Sequence, residues 1–317
     1  MHPSVANRNA SLGPSAPPLA LVALAIANVA LAFGPLFVRQ SDVGPVAAAF
    51  WRMALALPLI AGGAWVLADR RAGLPRLPAR AWWLLALAGV AFAGDLGAWH
   101  VGILGTTMAN ATLFGNCATF IFPLYGFLVA RHWPSRTQGI ALLLAAAGAG
   151  LLMGRSYQLD QRHLVGDLMC VAAGLLYALY FVLMSGIRRT MAPLPALALS
   201  SAASLPPLLA FALLLGERIV PDNWTPLVTL AVVAQVIGQG CMIYALGKLS
   251  PLVVGLALLI QPVVAAAVGW SIFGERLAAP DFVGIAMVAA ALVLVRRDPD
   301  PVKEQAPAAN LAPEETR

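Results

Sequence analysis

Long apolar runs separated by short polar breaks are the dominant pattern of this chain. The runs occupy residues 18–38, 45–67, 81–104, 107–130 and 137–153, then 164–185, 194–215, 225–246, 249–273 and 280–295. A helix rises 1.5 Å per residue, so a hydrocarbon layer of about 30 Å takes about 20 residues. Most runs have that length; those at 137–153 and 280–295 are short. In lipid a backbone must satisfy its own polar groups, so each run is predicted to be a helix. The pattern predicts an all-α integral membrane protein with about ten transmembrane helices. The flanks differ. Residues 1–17 are rich in Pro, Ser and Asn, and 298–317 in Pro, Ala and charge, so both are expected to be disordered tails. The first run holds a small-residue site, Ala25-Ile26-Ala27. It is longer than the apolar region of about 7–15 residues of a signal peptide and lacks a basic front, so an uncleaved helix is expected.

Composition agrees with lipid as the solvent. Of 317 residues, 60% are hydrophobic and 11% charged, with mean hydropathy +0.82; soluble domains carry about 25% charged residues. The net charge of +6 does not mark a nucleic-acid surface, because the cations are scattered among the breaks. Their distribution sets orientation instead. With the N-terminus in the cytoplasm, the inner connections hold Arg70, Arg71, Arg76, Arg80, Arg131, Arg136, Arg188, Arg189, Lys248, Arg296 and Arg297. The outer connections hold Arg39, Arg155, Arg162, Arg218 and Arg276, offset by seven acidic residues from Asp42 to Asp281. Both termini are therefore expected in the cytoplasm of a bacterial-type inner membrane. The cysteines, Cys117, Cys170 and Cys241, lie inside apolar runs without CxxC spacing and read as packing residues.

The halves resemble each other. At an offset of 145 residues Trp99 meets Tyr244, Asn116 meets Gln261, Arg131 meets Arg276 and Gly139-Ile140 meets Gly284-Ile285. Each half, 18–153 and 164–297, holds five runs. An odd number makes the second half enter the membrane from the opposite side, as in the inverted repeats of secondary transporters. The expected fold is thus two inverted five-helix repeats.

Gln261-Pro262 with Gly274-Glu275-Arg276-Leu277 at the following helix end resembles the fourth helix of an EamA-type repeat. The stretch from Gly94-Asp95 to Trp99-His100, leading into Thr106-Thr107-Met108-Ala109-Asn110, resembles a branch of the same family. The likeness spans roughly residues 20–297. It implies membership of the drug/metabolite transporter superfamily, two five-helix repeats and carriage of small metabolites. The first half departs from the pattern, with Cys117 and Ala130 where the second has Pro262 and Glu275.

Ionisable groups inside spans are expensive and are functional candidates by default. Arg52, a turn and a half into its span, is expected to snorkel to the outer interface. Asp95 is too short to do so; it shares a helix face with Trp99. His100 lies nearer the outer end and is expected to be structural, yet it remains a candidate. Asn110, Asn116, Gln235, Gln239 and Gln261, with Tyr244, complete the set for cargo binding or coupling. They fall in the third, fourth, eighth and ninth runs, which predicts a central polar cavity lined by those helices. The expectation is a secondary transporter for a small metabolite or drug-like solute, working by alternating access, with proton coupling as an option. A scaffold or lipid-handling protein without a polar path is the alternative.

A membrane enzyme is disfavoured. Asp95 is the one carboxylate deep in a run, so an aspartyl dyad cannot be assembled. No H-E-x-x-H, G-x-S-x-G or Walker A pattern occurs. No catalytic residue, metal site or cofactor is expected. The expected partners are a small-molecule cargo and the bilayer, with a homodimer as an option and no nucleic acid.

Overall fold

The computed structural model describes residues 17–67, 78–106, 108–131, 133–153, 161–273 and 279–297. Among them there are helices and turns and no strand. Both predicted tails lie outside the described residues. Helix α1 (Pro18–Ala32) and helix α2 (Gly34–Gln40) form one apolar rod, interrupted at Phe33. Pro35 causes the break, because it lacks an N–H and disfavours helical geometry just before it. Helix α3 (Pro45–Val66) opens on a proline, whose missing donor is not needed in a first turn. Helix α4 (Ala79–Gly105) is a continuous rod.

The run predicted at 107–130 is not one helix. It divides into α5 (Met108–Gly115) and α6 (Ala118–Ala130), with a turn at Asn116-Cys117. There Cys117 N–H bonds Phe114 O and Thr119 N–H bonds Asn116 O, three residues back rather than four. Gly115 and Asn116 are poor helix formers, which localises the break. Helices α7 (Arg136–Met153), α8 (Gln161–Ile187) and α9 (Pro193–Leu214) follow.

The run at 225–246 is continuous but not uniformly wound. Helix α10 (Thr225–Leu230) passes into π winding over Ala231–Gln239 and then α11 (Gly240–Leu246). The run at 249–273 breaks between α12 (Pro251–Ala257) and α13 (Ile260–Phe273), again through bonds to the third residue back, Leu258 to Gly255 and Leu259 to Leu256. Pro262, in the first turn of α13, cannot donate backwards and so fixes this break. Helix α14 (Ala279–Arg297) closes the described chain.

Seven rods among the described residues are long and apolar enough to cross a membrane. The expected spans at 107–130, 137–153 and 280–295 are not among these seven; they correspond to α5 with α6, to α7 and to α14. Helix α4 packs on α8 and α9, α3 on α9, α1 on the π segment and α11, α6 on α12, and α7 on α14. Small residues permit the closest approaches. A Cβ on Gly166 would stand 2.7 Å from the Gly105 carbonyl carbon, and one on Gly255 would stand 2.6 Å from the Pro123 ring. The outward face is apolar: Trp83, Leu143 and Leu214 are 77%, 72% and 86% exposed, a surface suited to lipid.

One end of the bundle is tied by carboxylates. Glu217 accepts from Val46 N–H at 3.2 Å and Ala47 N–H at 2.7 Å, capping α3 from a distant part of the chain. Asp42 accepts from Asp222 N–H at 2.7 Å and Asn223 N–H at 3.2 Å, and Trp51 Nε1–H donates to Ile219 O at 2.7 Å. At the same end Thr106 Oγ1–H donates to Asp167 at 2.7 Å. At the other end Arg188 binds Ile243 O at 3.0 Å and also Met191 O; its partial burial lowers its pKa.

Candidate functional site: a polar cavity

Between these ends lies a cavity enclosing about 380 Å³ of unfilled space, its open part included. Its polar wall is Arg52 from α3, Asp95 and Trp99 from α4, Thr112 from α5, Asn116 at the α5–α6 break, Tyr177 from α8, Gln239 from the π segment and Gln261 from α13. Leu31, Phe92 and Leu96 supply the apolar wall. Phe92 stacks on Tyr180 at 4.4 Å between centroids, and Tyr177 lies 4.2 Å from Phe181, so an aromatic slab backs one side.

The predicted face of α4 is present: Asp95 and Trp99 both line the cavity. Trp99 is fixed by donating Nε1–H to Ala111 O at 2.9 Å. Asn116 and Gln261, paired by the sequence repeat, touch: Asn116 Nδ2–H donates to Gln261 Oε1 at 3.3 Å. Gln261 Nε2–H donates to Asn28 Oδ1 at 2.9 Å, and Asn28 donates to Leu24 O at 2.8 Å. Tyr177 O–H donates to Gln239 Oε1 at 3.2 Å.

Three candidates stand elsewhere. His100 is buried, with Nδ1 2.9 Å from Pro45 O; a carbonyl only accepts, so this nitrogen carries the proton. The histidine anchors α4 to the start of α3 and does not line the cavity. Tyr244 packs against the core with Lys248 5.2 Å over its ring. Gln235 stands behind the wall: it accepts from Arg52 Nε–H at 3.1 Å and donates to Ser201 at 3.2 Å. Asn110 belongs to α5, and its side chain lies outside the described residues.

The largest correction concerns Arg52. The expectation that it snorkels to the interface fails: only 2% exposed, it turns inward to the cavity. Its bond to Gln235 draws it there, and no sequence signal pairs residues 183 positions apart. The cavity is also wider in origin than expected. Besides the third, fourth, eighth and ninth runs, the first, second and sixth contribute Leu31, Arg52 and Tyr177. Among the described residues no group of His, Cys, Asp and Glu could hold a metal ion, and the three cysteines are free.

A membrane-type helical bundle with a buried, mixed-charge cavity is the class that fold and site define. Residues 164–297 match the EamA-like transporter family. Among curated proteins none matches the sequence. A solved crystal structure, described only as that of a protein, is similar in fold, with TM-score 0.69 and 14% identity; the alignment covers 87% of this chain and 96% of that one.

Proposed function

We propose that the protein is a secondary transporter that moves a small metabolite or drug-like solute across a bacterial inner membrane by alternating access. In this reading ten helices form two inverted five-helix repeats, 18–153 and 164–297, with both termini in the cytoplasm. The observation that carries it is the cavity, where Arg52, Asp95, Asn116, Gln239 and Gln261 meet deep inside an apolar bundle. A scaffold has no use for two buried charges whose desolvation is costly. The repeat is supported by the Asn116–Gln261 bond, which joins residues 145 apart, the repeat offset itself. A pseudo-two-fold axis brings equivalent residues together only where it passes between them. The alternation of ten spans is supported by the ties at each end. Residues 42–47 meet 217–223 and Thr106 meets Asp167, all in connections that alternation puts on the outer side.

Asp95 is the proposed cargo-binding or proton-coupling group. The test is uptake into proteoliposomes, with cargo identified first by metabolite profiling of cells with and without the protein. Asp95→Asn, which preserves shape, is expected to lower the initial rate at least about tenfold and to flatten its pH dependence. Wild-type rate with wild-type pH dependence would refute both roles.

A further inference from the structure

Between the cavity and the end of the bundle that the proposed topology puts outside, two groups of helices face each other. On one side the α2–α3 connection and the start of α3 are bonded to residues 217–223 through Glu217, Asp42 and Trp51. On the other side the end of α4 is bonded to α8 through Thr106 and Asp167. Among the described residues, the side-chain hydrogen bonds that cross between these sides at this end come from His100 and Arg39. His100 Nδ1–H donates from α4 to Pro45 O at 2.9 Å. Arg39 donates from α2 to Thr106 O at 3.0 Å, with a longer contact to Ile103 O at 3.4 Å. Along α4, His100 stands about 8 Å nearer the outer end than Asp95. Along α3, Pro45 stands about 10 Å nearer that end than Arg52. The crossing bonds therefore lie over the cavity, on its outer side.

A histidine is ill suited to be a permanent tie here. Its ring is wholly buried, Nδ1 carries the proton that the Pro45 carbonyl accepts, and Nε2 has no partner among the described residues. A buried acceptor left unmet costs about as much as one hydrogen bond contributes in net terms. A side chain that only had to hold α4 on α3 would gain by losing that nitrogen. In a mouth that opens, water reaches Nε2, so the group left bare in the closed arrangement is satisfied in the open one. The bond made at Nδ1 and the bare Nε2 thus oppose each other, which keeps the two arrangements close in free energy. We propose that His100, together with Arg39, is the latch of the cavity's outer mouth. The bonds to Pro45 O and Thr106 O hold the mouth shut, and their release parts the α2–α3 side from the α4–α8 side. The latch rests on the transporter reading and is independent of which cargo the cavity takes.

Thiol labelling of the full chain in membranes tests this without a cargo. In protein lacking Cys117, Cys170 and Cys241, the reporter is Thr112→Cys, at a cavity position that is 1% exposed. An impermeant thiol reagent is added to intact cells and, separately, to inside-out vesicles. Cysteines at the exposed positions Asn223 and Thr190 mark the outer and inner faces. Slow labelling of the reporter is expected from the face where Asn223→Cys reacts. His100→Phe keeps a ring and removes both nitrogens; it should raise that rate at least about tenfold, the worth of one hydrogen bond. Arg39→Met, which keeps the stem and loses the donors, should raise it as well. His100→Asn keeps a donor where Nδ1–H stands and should leave the rate nearly unchanged. An unchanged rate in His100→Phe, or an equal rise in His100→Asn, would make the histidine a packing residue and overturn the latch. If His100→Phe does not accumulate in the membrane, Arg39→Met decides, and no rise there overturns the latch too. Reporter labelling from the Thr190 face alone, equal in all variants, removes the latch and leaves the transporter reading. Labelling from neither face in any variant removes that reading and the latch with it.

Discussion

At the scale of single residues, the cavity wall is a chain of amides whose members depend on one another. Gln261 is the centre, accepting from Asn116 and donating to Asn28. Gln261→Leu keeps the volume and leaves both neighbours unmet. Polar contacts between membrane helices contribute about 0.6 kcal/mol on average and up to about 1.7, so the loss of two should cost about 1–3 kcal/mol, read as a lower melting temperature in detergent. Asp95, Asn116, Gln239 and Gln261 were legible from sequence because polar groups in apolar runs stand out, and each does reach the cavity. Arg52 stood out equally and was misassigned. A long side chain near a helix end can turn outward to water or inward to a partner, and only the packing of α3 against the π segment decides which. His100 and Tyr244 carry the same polar signal yet stand outside the cavity wall, because residue type does not encode which neighbour a helix face meets.

At the scale of elements, the sequence located the apolar runs well and missed their interruptions. Hydropathy reports solvent, and lipid is the same solvent for a straight helix, a broken one and a π-wound one. The breaks at 116–117 and 258–259 and the π segment all lie where polar residues meet the cavity, as expected if departures from α winding serve the site. Capping is the other element-level result. Glu217 bonds the free amides of the first turn of α3 and faces the positive end of its dipole. Glu217→Gln retains one acceptor and loses the charge, and should destabilise by about 0.5–2 kcal/mol in thermal unfolding. Asp42 has a different signature. The N–H groups of Asp222 and Asn223, with a smaller effect from Arg218, hold its pKa below the usual carboxylate value. A depressed folded pKa means that its contribution is present above the unfolded value and lost as pH falls through the folded one. Melting curves of wild type and Asp42→Asn should therefore differ throughout the neutral range and converge only in acid below about pH 4.

For the whole molecule, the proposed orientation and span count rest on loop charge. Asn223 and Thr190 are exposed and belong to opposite ends of the bundle in the proposed topology. In a variant without Cys117, Cys170 and Cys241, a cysteine at 223 should react with an impermeant thiol reagent added outside intact cells, and one at 190 should react only after lysis. Reversal of the two would invert the proposed orientation, and equal labelling would refute the alternation. The all-helical, membrane-type character was the most legible feature, since long apolar runs between short polar breaks record it directly. Which helices enclose the cavity was not, because it depends on three-dimensional contacts of α1, α3 and α8 that no local pattern records.

The two helix breaks have a consequence for deuterium labelling. In a plain membrane-spanning rod, amide protons at the ends exchange early and those at mid-depth are the last to go, since a whole turn of hydrogen bonds must open in a dry environment. Here the amides of Cys117, Thr119, Leu258 and Leu259 are held by turns of i to i+3 type close to residues that line the cavity. Their protection should be lower than that of flanking residues nearer the surface, giving an uptake profile along α5–α6 and α12–α13 that peaks in the middle. Mass spectrometry of peptides covering 108–130 and 251–273 would record that inverted profile, and the uninterrupted α4 supplies its internal control.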